Sequence, residues 1–154
     1  MRVYIVRHGK AASSDVDPQR GLTQAGRAQV EKVAGHLKSL NLSVDCVWHS
    51  GKTRAEQTAE SLGRALNPPG GVVAVSGLDP KDDVRPVAEA LEREAQPVML
   101  VGHLPFLERL AGRLLVGDEE RSPVEFRTAG IVCLSYEEGR WRVAWVATPE
   151  MAGV

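Results

Sequence analysis

The chain has 154 residues, 43% hydrophobic and 25% charged, the profile of one soluble globular domain spanning residues 1–154. That length is enough to build a core without disulfides or metals. A formal net charge of −1 excludes any general attraction to nucleic acid or to an anionic membrane, so an anion site must be a local concentration of positive charge.

Cys46 and Cys133 each lie in an apolar run and read as small buried hydrophobes rather than a disulfide framework. No apolar run reaches the length of a membrane span, and no leader is expected ahead of a first strand that begins at Arg2 or Val3. A reduced, cytoplasmic, monomeric protein is expected.

In chain order, Val3 to Val6 is a continuous β-branched and aromatic run, suited to a strand buried on both faces, and Arg7-His8-Gly9 ends it. A polar loop from Lys10 to Gly21 follows. Thr23 is placed to cap a helix with Val30, Val33, Ala34, Leu37 and Leu40 inward. Val44 to Trp48 reads as a second strand, ending at His49-Ser50-Gly51, and a helix from about Lys52 to Leu66 turns Ala55, Ala59, Leu62 and Leu66 inward. Asn67 to Gly71 is a turn cluster, and Val72 to Val75 a short third strand. After the loop Gly77-Leu78-Asp79-Pro80, Asp82 or Asp83 caps a third helix carrying Val84, Val87, Ala88 and Leu91, which Pro97 stops. Val98 to Val101 is a buried fourth strand closed by Gly102-His103. Pro105 stands in the first turn of a fourth helix with Leu107, Leu110, Ala111, Leu114 and Leu115 inward. A charged loop from Gly117 to Pro123 precedes two strands, about Gly130 to Tyr136 and Trp141 to Val146, joined by a hairpin at Glu137 to Arg140. The alternation predicts an α/β three-layer sandwich: a mostly parallel sheet of about six strands, an antiparallel terminal hairpin, and helices on both faces.

Parallel strands end along one edge of a sheet, where open α/β sheets bind ligands. Arg7, His8 and Gly9 follow the first strand, Ser50 and Arg54 the second, and His103 the fourth. Two arginines, two histidines and two helix amino-termini are thereby directed at one crevice, a combination suited to a tetrahedral oxyanion such as phosphate. A neutral imidazole carries a free lone pair near pH 7, so His8 can attack phosphorus with one ring nitrogen while a carbonyl holds the other. Arg7 and Arg54 would neutralise the phosphoryl oxygens, and His103, as a charged or donating imidazole, would clamp another. Lys10, Arg20 and Lys52 add positive charge nearby. His36, on the polar side of its helix, and His49, without an evident partner, read as structural.

These motifs resemble the histidine phosphatase, or phosphoglycerate mutase-like, superfamily, and within it the small bacterial phosphohistidine phosphatases of the SixA type. Arg7-His8-Gly9 matches the signature triplet, Arg20-Gly21-Leu22-Thr23-Gln24-Ala25-Gly26 the R-x-L-T-x-x-G start of the first helix, and Ser50 to Thr58 the second signature with Arg54. Val101-Gly102-His103-Leu104-Pro105 matches the second histidine motif, and Arg127-Thr128-Ala129-Gly130 the late loop that offers backbone N–H groups to phosphate. The resemblance implies a metal-independent phosphatase with a phosphohistidine intermediate on His8, later hydrolysed by water. Arg7, Gly9, Arg20, Arg54, His103 and Gly130 would contact substrate, and no cofactor is needed. Larger relatives carry a general acid on an insertion that is short here, and Lys10 stands where relatives often have an acidic or amide side chain. Imidazole departs with less help than an alkoxide, so a site without a committed acid suits phosphohistidine in a protein. Asp79 and Asp15 are the first candidates for a proton donor.

Three other readings remain at this level. One is a broad small-molecule phosphatase or a sugar-phosphate mutase acting on a small phosphorylated substrate. Another is a non-catalytic phosphoprotein-binding module. A metal hydrolase built on His8 and His103 would lack carboxylates adjacent to either histidine.

Overall fold

A computed structural model describes residues 1–153. Strands β1 (Arg2–Arg7), β2 (Cys46–His49), β3 (Val72–Ala74), β4 (Val98–Gly102), β5 (Ile131–Glu137) and β6 (Arg140–Ala147) form one sheet in the order β3-β2-β4-β1-β5-β6. β1 to β4 run parallel, and β5 and β6 join antiparallel at the β1 side, as the sequence predicts. Helices α1 (Gln24–Ser39), α2 (Thr53–Leu66), α3 (Arg85–Arg93) and α4 (Phe106–Val116) complete the frame, with a short 3₁₀ turn at Pro149–Ala152.

The central strands separate two apolar layers because successive side chains point to opposite faces. Val3, Ile5 and Leu100 pack with α3 and α4 residues such as Leu91, Phe106, Leu107 and Leu110. Tyr4, Val6, Met99 and Val101 pack with α1 and α2 residues such as Val30, Leu37, Ala59 and Leu62. β1 therefore leads to a helix on one face and β4 to a helix on the other. The carboxyl ends of these adjacent strands form the topological switch point, where ligands bind in open α/β sheets.

Thr23 caps α1 as predicted, its Oγ1 accepting from the Gly26 N–H at 2.9 Å. Several local expectations are corrected. Leu40 is the α1 C-cap and lies exposed, because the helix ends before its next inward turn. Cys46 is only half-buried, since it starts β2 beside the Gly70 turn, whereas Cys133 is buried. β2 begins at Cys46 rather than Val44, and β3 ends at Ala74 as an exposed edge strand. Neither Asp82 nor Asp83 is the α3 N-cap, which is Val84. Asp83 instead accepts the Arg85 N–H at 3.0 Å and Asp82 the Asp79 N–H at 2.9 Å. Pro105 stands one residue ahead of α4, as its N-cap. The hairpin turn is at Glu138 and Gly139, both with positive φ (53° and 73°), the two-residue geometry that matches strand twist.

α1 approaches the loop after β1 so closely that only glycine fits at position 26: a Cβ there would lie 2.2 Å from the Lys10 carbonyl oxygen. Gly35, on the same helix, faces open space. Gly26→Ala is expected to destabilise the fold by roughly 1–3 kcal/mol through forced backbone displacement, whereas Gly35→Ala should stabilise it by up to about 1 kcal/mol through helix propensity. Denaturant midpoints of the two variants should move in opposite directions.

Candidate active site

The site begins with strand register. Arg7 pairs with Gly102, so the residues that follow them, His8 and His103, emerge side by side. The His8 N–H donates to the Gly102 carbonyl at 3.0 Å, and the two imidazole rings lie 5.0 Å apart, centroid to centroid, tilted by 52°.

His8 Nδ1 lies 2.7 Å from the carbonyl oxygen of Gly9. A carbonyl only accepts, so Nδ1 carries the hydrogen and the neutral ring keeps its lone pair on Nε2. Burial pushes the His8 pKa from the ordinary 6.5 down to about 4; the Gly9 carbonyl opposes the shift, and the charges of Arg54, Arg7 and Arg20 add to it. His103 is 1% exposed, and its pKa falls to about 3 through burial first, then His8, Arg54, Lys52 and Arg20. Of the two states expected for His103, the neutral ring is therefore the one present near pH 7. Ser50 Oγ lies 2.6 Å from His103 Nε2 and accepts the Lys52 N–H at 3.3 Å.

Arg7 Nη1 donates to the Phe126 carbonyl at 2.9 Å, tying the late loop to the end of β1. Arg7 Nε and His103 Nδ1 are buried without a hydrogen-bond partner, the two such side-chain atoms among the described residues. Buried polar atoms are almost always partnered, and both exceptions fall in one cluster. Arg54 is half-buried on the first turn of α2, its pKa lowered by desolvation and then by Arg20, with Asp79 opposing. Arg20 is exposed at φ 52°, its Nε donating to the Ala12 carbonyl at 3.2 Å. The structure thus gathers Arg7, His8, Arg54 and His103, with Arg20 at the border.

Two predicted contact residues are reassigned. The Gly130 N–H donates to the Arg127 carbonyl at 2.8 Å, and its own carbonyl accepts the Arg7 N–H at 3.2 Å. Gly9 is similarly committed, its N–H donating to Thr58 Oγ1 at 3.1 Å and its carbonyl holding His8. Both glycines shape the site, and neither has a free backbone donor for substrate. A Cβ on Gly9 would lie 2.5 Å from Val30 Cγ2. Of the two candidate acids, Asp79 shares a crevice with Arg54 and Lys52, while Asp15 is exposed and makes no hydrogen bond or ion pair with the cluster. The exposed Lys10 contributes its carbonyl, which accepts from the Thr23 backbone at 2.9 Å. His49 does have a partner: its Nδ1 accepts the Gly51 N–H at 3.0 Å.

Sequence reasoning missed Gln57 and Thr58. Thr58 is 1% exposed; its Oγ1 accepts from Gly9 and donates to the Arg54 carbonyl at 2.8 Å. Gln57 Oε1 accepts the Leu22 N–H at 2.7 Å. The available signal is a threonine interrupting the inward stripe of Ala55, Ala59 and Leu62. Polar groups survive there only when hydrogen-bonded. Thr58→Val keeps the shape and removes both bonds, so it should cost about 1–3 kcal/mol in a denaturant titration, with Thr58→Ser recovering part of the loss.

The depressed imidazole pKa values also set a stability profile. Between pH 6.5 and about 4, unfolded chains bind protons that folded His8 and His103 refuse, and His103 continues to refuse them toward 3. The contribution is complete above pH 6.5 and is lost as pH falls, with a limiting slope of about 1.4 kcal/mol per pH unit for each imidazole. His103→Gln should show a shallower decline in unfolding free energy than wild type over this window.

The histidine phosphatase superfamily (branch 1) profile matches residues 3–80. The phosphohistidine phosphatase SixA of Escherichia coli K12 is 33% identical over 97% of this chain and 94% of its own length. A structure of the protein histidine phosphatase SixA complexed with tungstate superposes with a TM-score of 0.85 at 33% identity, covering 97% of each chain. A crystal structure from Agrobacterium tumefaciens that carries the SixA name gives 0.76 at 32% identity, covering 96% of this chain and 97% of that one. An Arg-His-Gly strand end, a second arginine on α2 and a second histidine beside the first, on a fold shared along nearly the whole chain, place this protein in the histidine phosphatase superfamily.

Proposed function

We propose that the protein is a phosphohistidine phosphatase whose nucleophile is His8. The observation that carries the reading is the state of the His8 ring. Its Nδ1–H is held by the Gly9 carbonyl, its pKa is low, and its Nε2 lone pair is free among cationic side chains. Such a nitrogen attacks phosphorus without first losing a proton. A P–N bond forms to His8 as the bond to the leaving group breaks. Arg7 and Arg54 stabilise the charge on the phosphoryl oxygens, with Arg20 reinforcing them from the border. Arg7 Nε and His103 Nδ1 are the buried nitrogens that phosphoryl oxygens would satisfy. Water then attacks phosphorus and returns the electron pair to His8.

Phosphohistidine is favoured as substrate because none of Arg7, His8, Arg54 and His103 has a carboxylate as a hydrogen-bond or ion-pair partner among the described residues. An alkoxide leaving group needs a well-placed acid, whereas imidazole does not. The SixA relative, matched over 97% of this chain and 94% of its own length, is itself a phosphohistidine phosphatase, and the similar SixA structure holds tungstate, a tetrahedral oxyanion. The unpaired cysteines support a reduced, cytoplasmic setting. No helix among the described residues is long and apolar enough to cross a membrane.

Incubation with a panel of phosphorylated compounds tests the assignment. Phosphohistidine protein should be cleaved much faster than phosphoserine or phosphoglycerate; equal rates would overturn the substrate reading. His8→Ala should lose several orders of magnitude in turnover and fail to take up label from a phosphodonor. Arg54→Ala should lose roughly 10²–10³-fold, the scale of one electrostatic donor. Turnover in chelator should equal that without it.

A further inference from the structure

Arg54 belongs to two features at once: the cationic cluster and an open crevice of about 400 Å³ lined also by Lys52, Asp79, Pro80, Lys81 and Asp82. A group attached to a phosphoryl held by Arg54 has this crevice beside it. Asp79 is presented there by a pinned loop. Leu78 before it is fully buried in the α3–α4 layer, Pro80 follows it, and its own N–H is held by Asp82 at 2.9 Å. The Asp79 carboxylate makes no hydrogen bond and no ion pair within 4 Å among the described residues, although its charge favours the Arg54 cation. A free carboxylate beside a phosphate site repels the incoming anion unless the rest of the substrate brings a proton donor.

We propose that this crevice is the leaving-group subsite. There the Asp79 carboxylate accepts a hydrogen bond from the far ring nitrogen of a phosphohistidine, holding that imidazole in its protonated, cationic form. The inference rests on the phosphohistidine reading and supplies what that reading lacks, a group that selects an imidazole over an alcohol.

The first step then needs no proton transfer. The His8 Nε2 lone pair forms the new P–N bond, and the pair of the old P–N bond returns to the leaving ring nitrogen. The substrate ring passes from cation to neutral imidazole with its far N–H still on Asp79. The ester oxygen of a serine or sugar phosphate belongs to no ring with a cationic N–H, so its leaving group gives Asp79 no charged donor whose charge is discharged as the bond breaks.

The test compares kcat/KM on two probes, a phosphohistidine peptide prepared with phosphoramidate and p-nitrophenyl phosphate, whose leaving group departs as a stabilised anion. In Asp79→Asn and Asp79→Ala the ratio of the phosphohistidine rate to the aryl phosphate rate should fall roughly 10–100-fold, the scale of a charge-assisted hydrogen bond, and Asp79→Glu should restore part of it. An unchanged ratio, or equal losses on both probes, would overturn the role of Asp79 while leaving the phosphohistidine reading intact. Wild-type enzyme that cleaves the aryl phosphate but not the phosphohistidine peptide would overturn that reading, and this inference with it.

Discussion

The parallel pairing of β1 with β4 is the constraint on which the site depends. Register sets Arg7 opposite Gly102, and the His8 N–H closes the ladder on the Gly102 carbonyl. A one-residue slip would turn alternate side chains to the wrong face, exchanging the Tyr4–Val6 and Val3–Ile5 sets between the two apolar layers. Burial on both faces therefore locks the register, and the locked register sets the two imidazoles 5.0 Å apart. Core packing thus specifies the spacing of the two imidazoles.

A cluster of arginines around one buried and one half-buried imidazole is unfavourable for the free protein, and the surrounding bonds hold it in place. Thr58 fastens the Gly9 backbone to the Arg54 turn. The Phe126 carbonyl holds the Arg7 guanidinium, and Gly130 and Ala129 clasp the backbone of Arg7 and His8. Ala129 is held at φ 59°, with its N–H on the Arg7 carbonyl at 2.9 Å. A buried non-glycine residue in the left-handed region costs about 1–3 kcal/mol, a local strain over-determined by the loop around it. Keeping both imidazoles neutral suits the proposed chemistry: a protonated His8 has no lone pair to offer a phosphoryl group.

On the proposed reading, the division between the cationic cluster and the open crevice has a chemical logic. Phosphoryl transfer is mostly positioning and electrostatics, and the strand ends supply these in fixed form. What distinguishes one phosphorylated substrate from another is its leaving group, which lies outside that cluster. In this protein the loop between β3 and α3 borders the outer space, short and anchored through Leu78.

Local chemistry made much of this legible in sequence. The continuous apolar runs of β1 and β4, the Thr23 cap and the positions directly after each strand follow from side-chain size, periodicity and capping, and the shared edge of parallel strands then nominates Arg7, His8, Arg54 and His103 as a group. Boundary details such as Leu40, Cys46 and the α3 cap depended on where neighbouring turns closed. The tertiary structure alone decided the rest, because backbone groups can be assigned only once their partners are in place. Gly130 looks like a free donor in a motif, yet its N–H is spent on the Arg127 carbonyl, and the N–H of Gly9 is likewise held by Thr58. Thr58, Gln57 and Ser50 acquire their roles only when a helix or loop remote in sequence is packed against the first strand's end. The acidity of His8 and His103 is likewise a property of the fold, since burial and assembled charge, not residue type, keep both rings neutral.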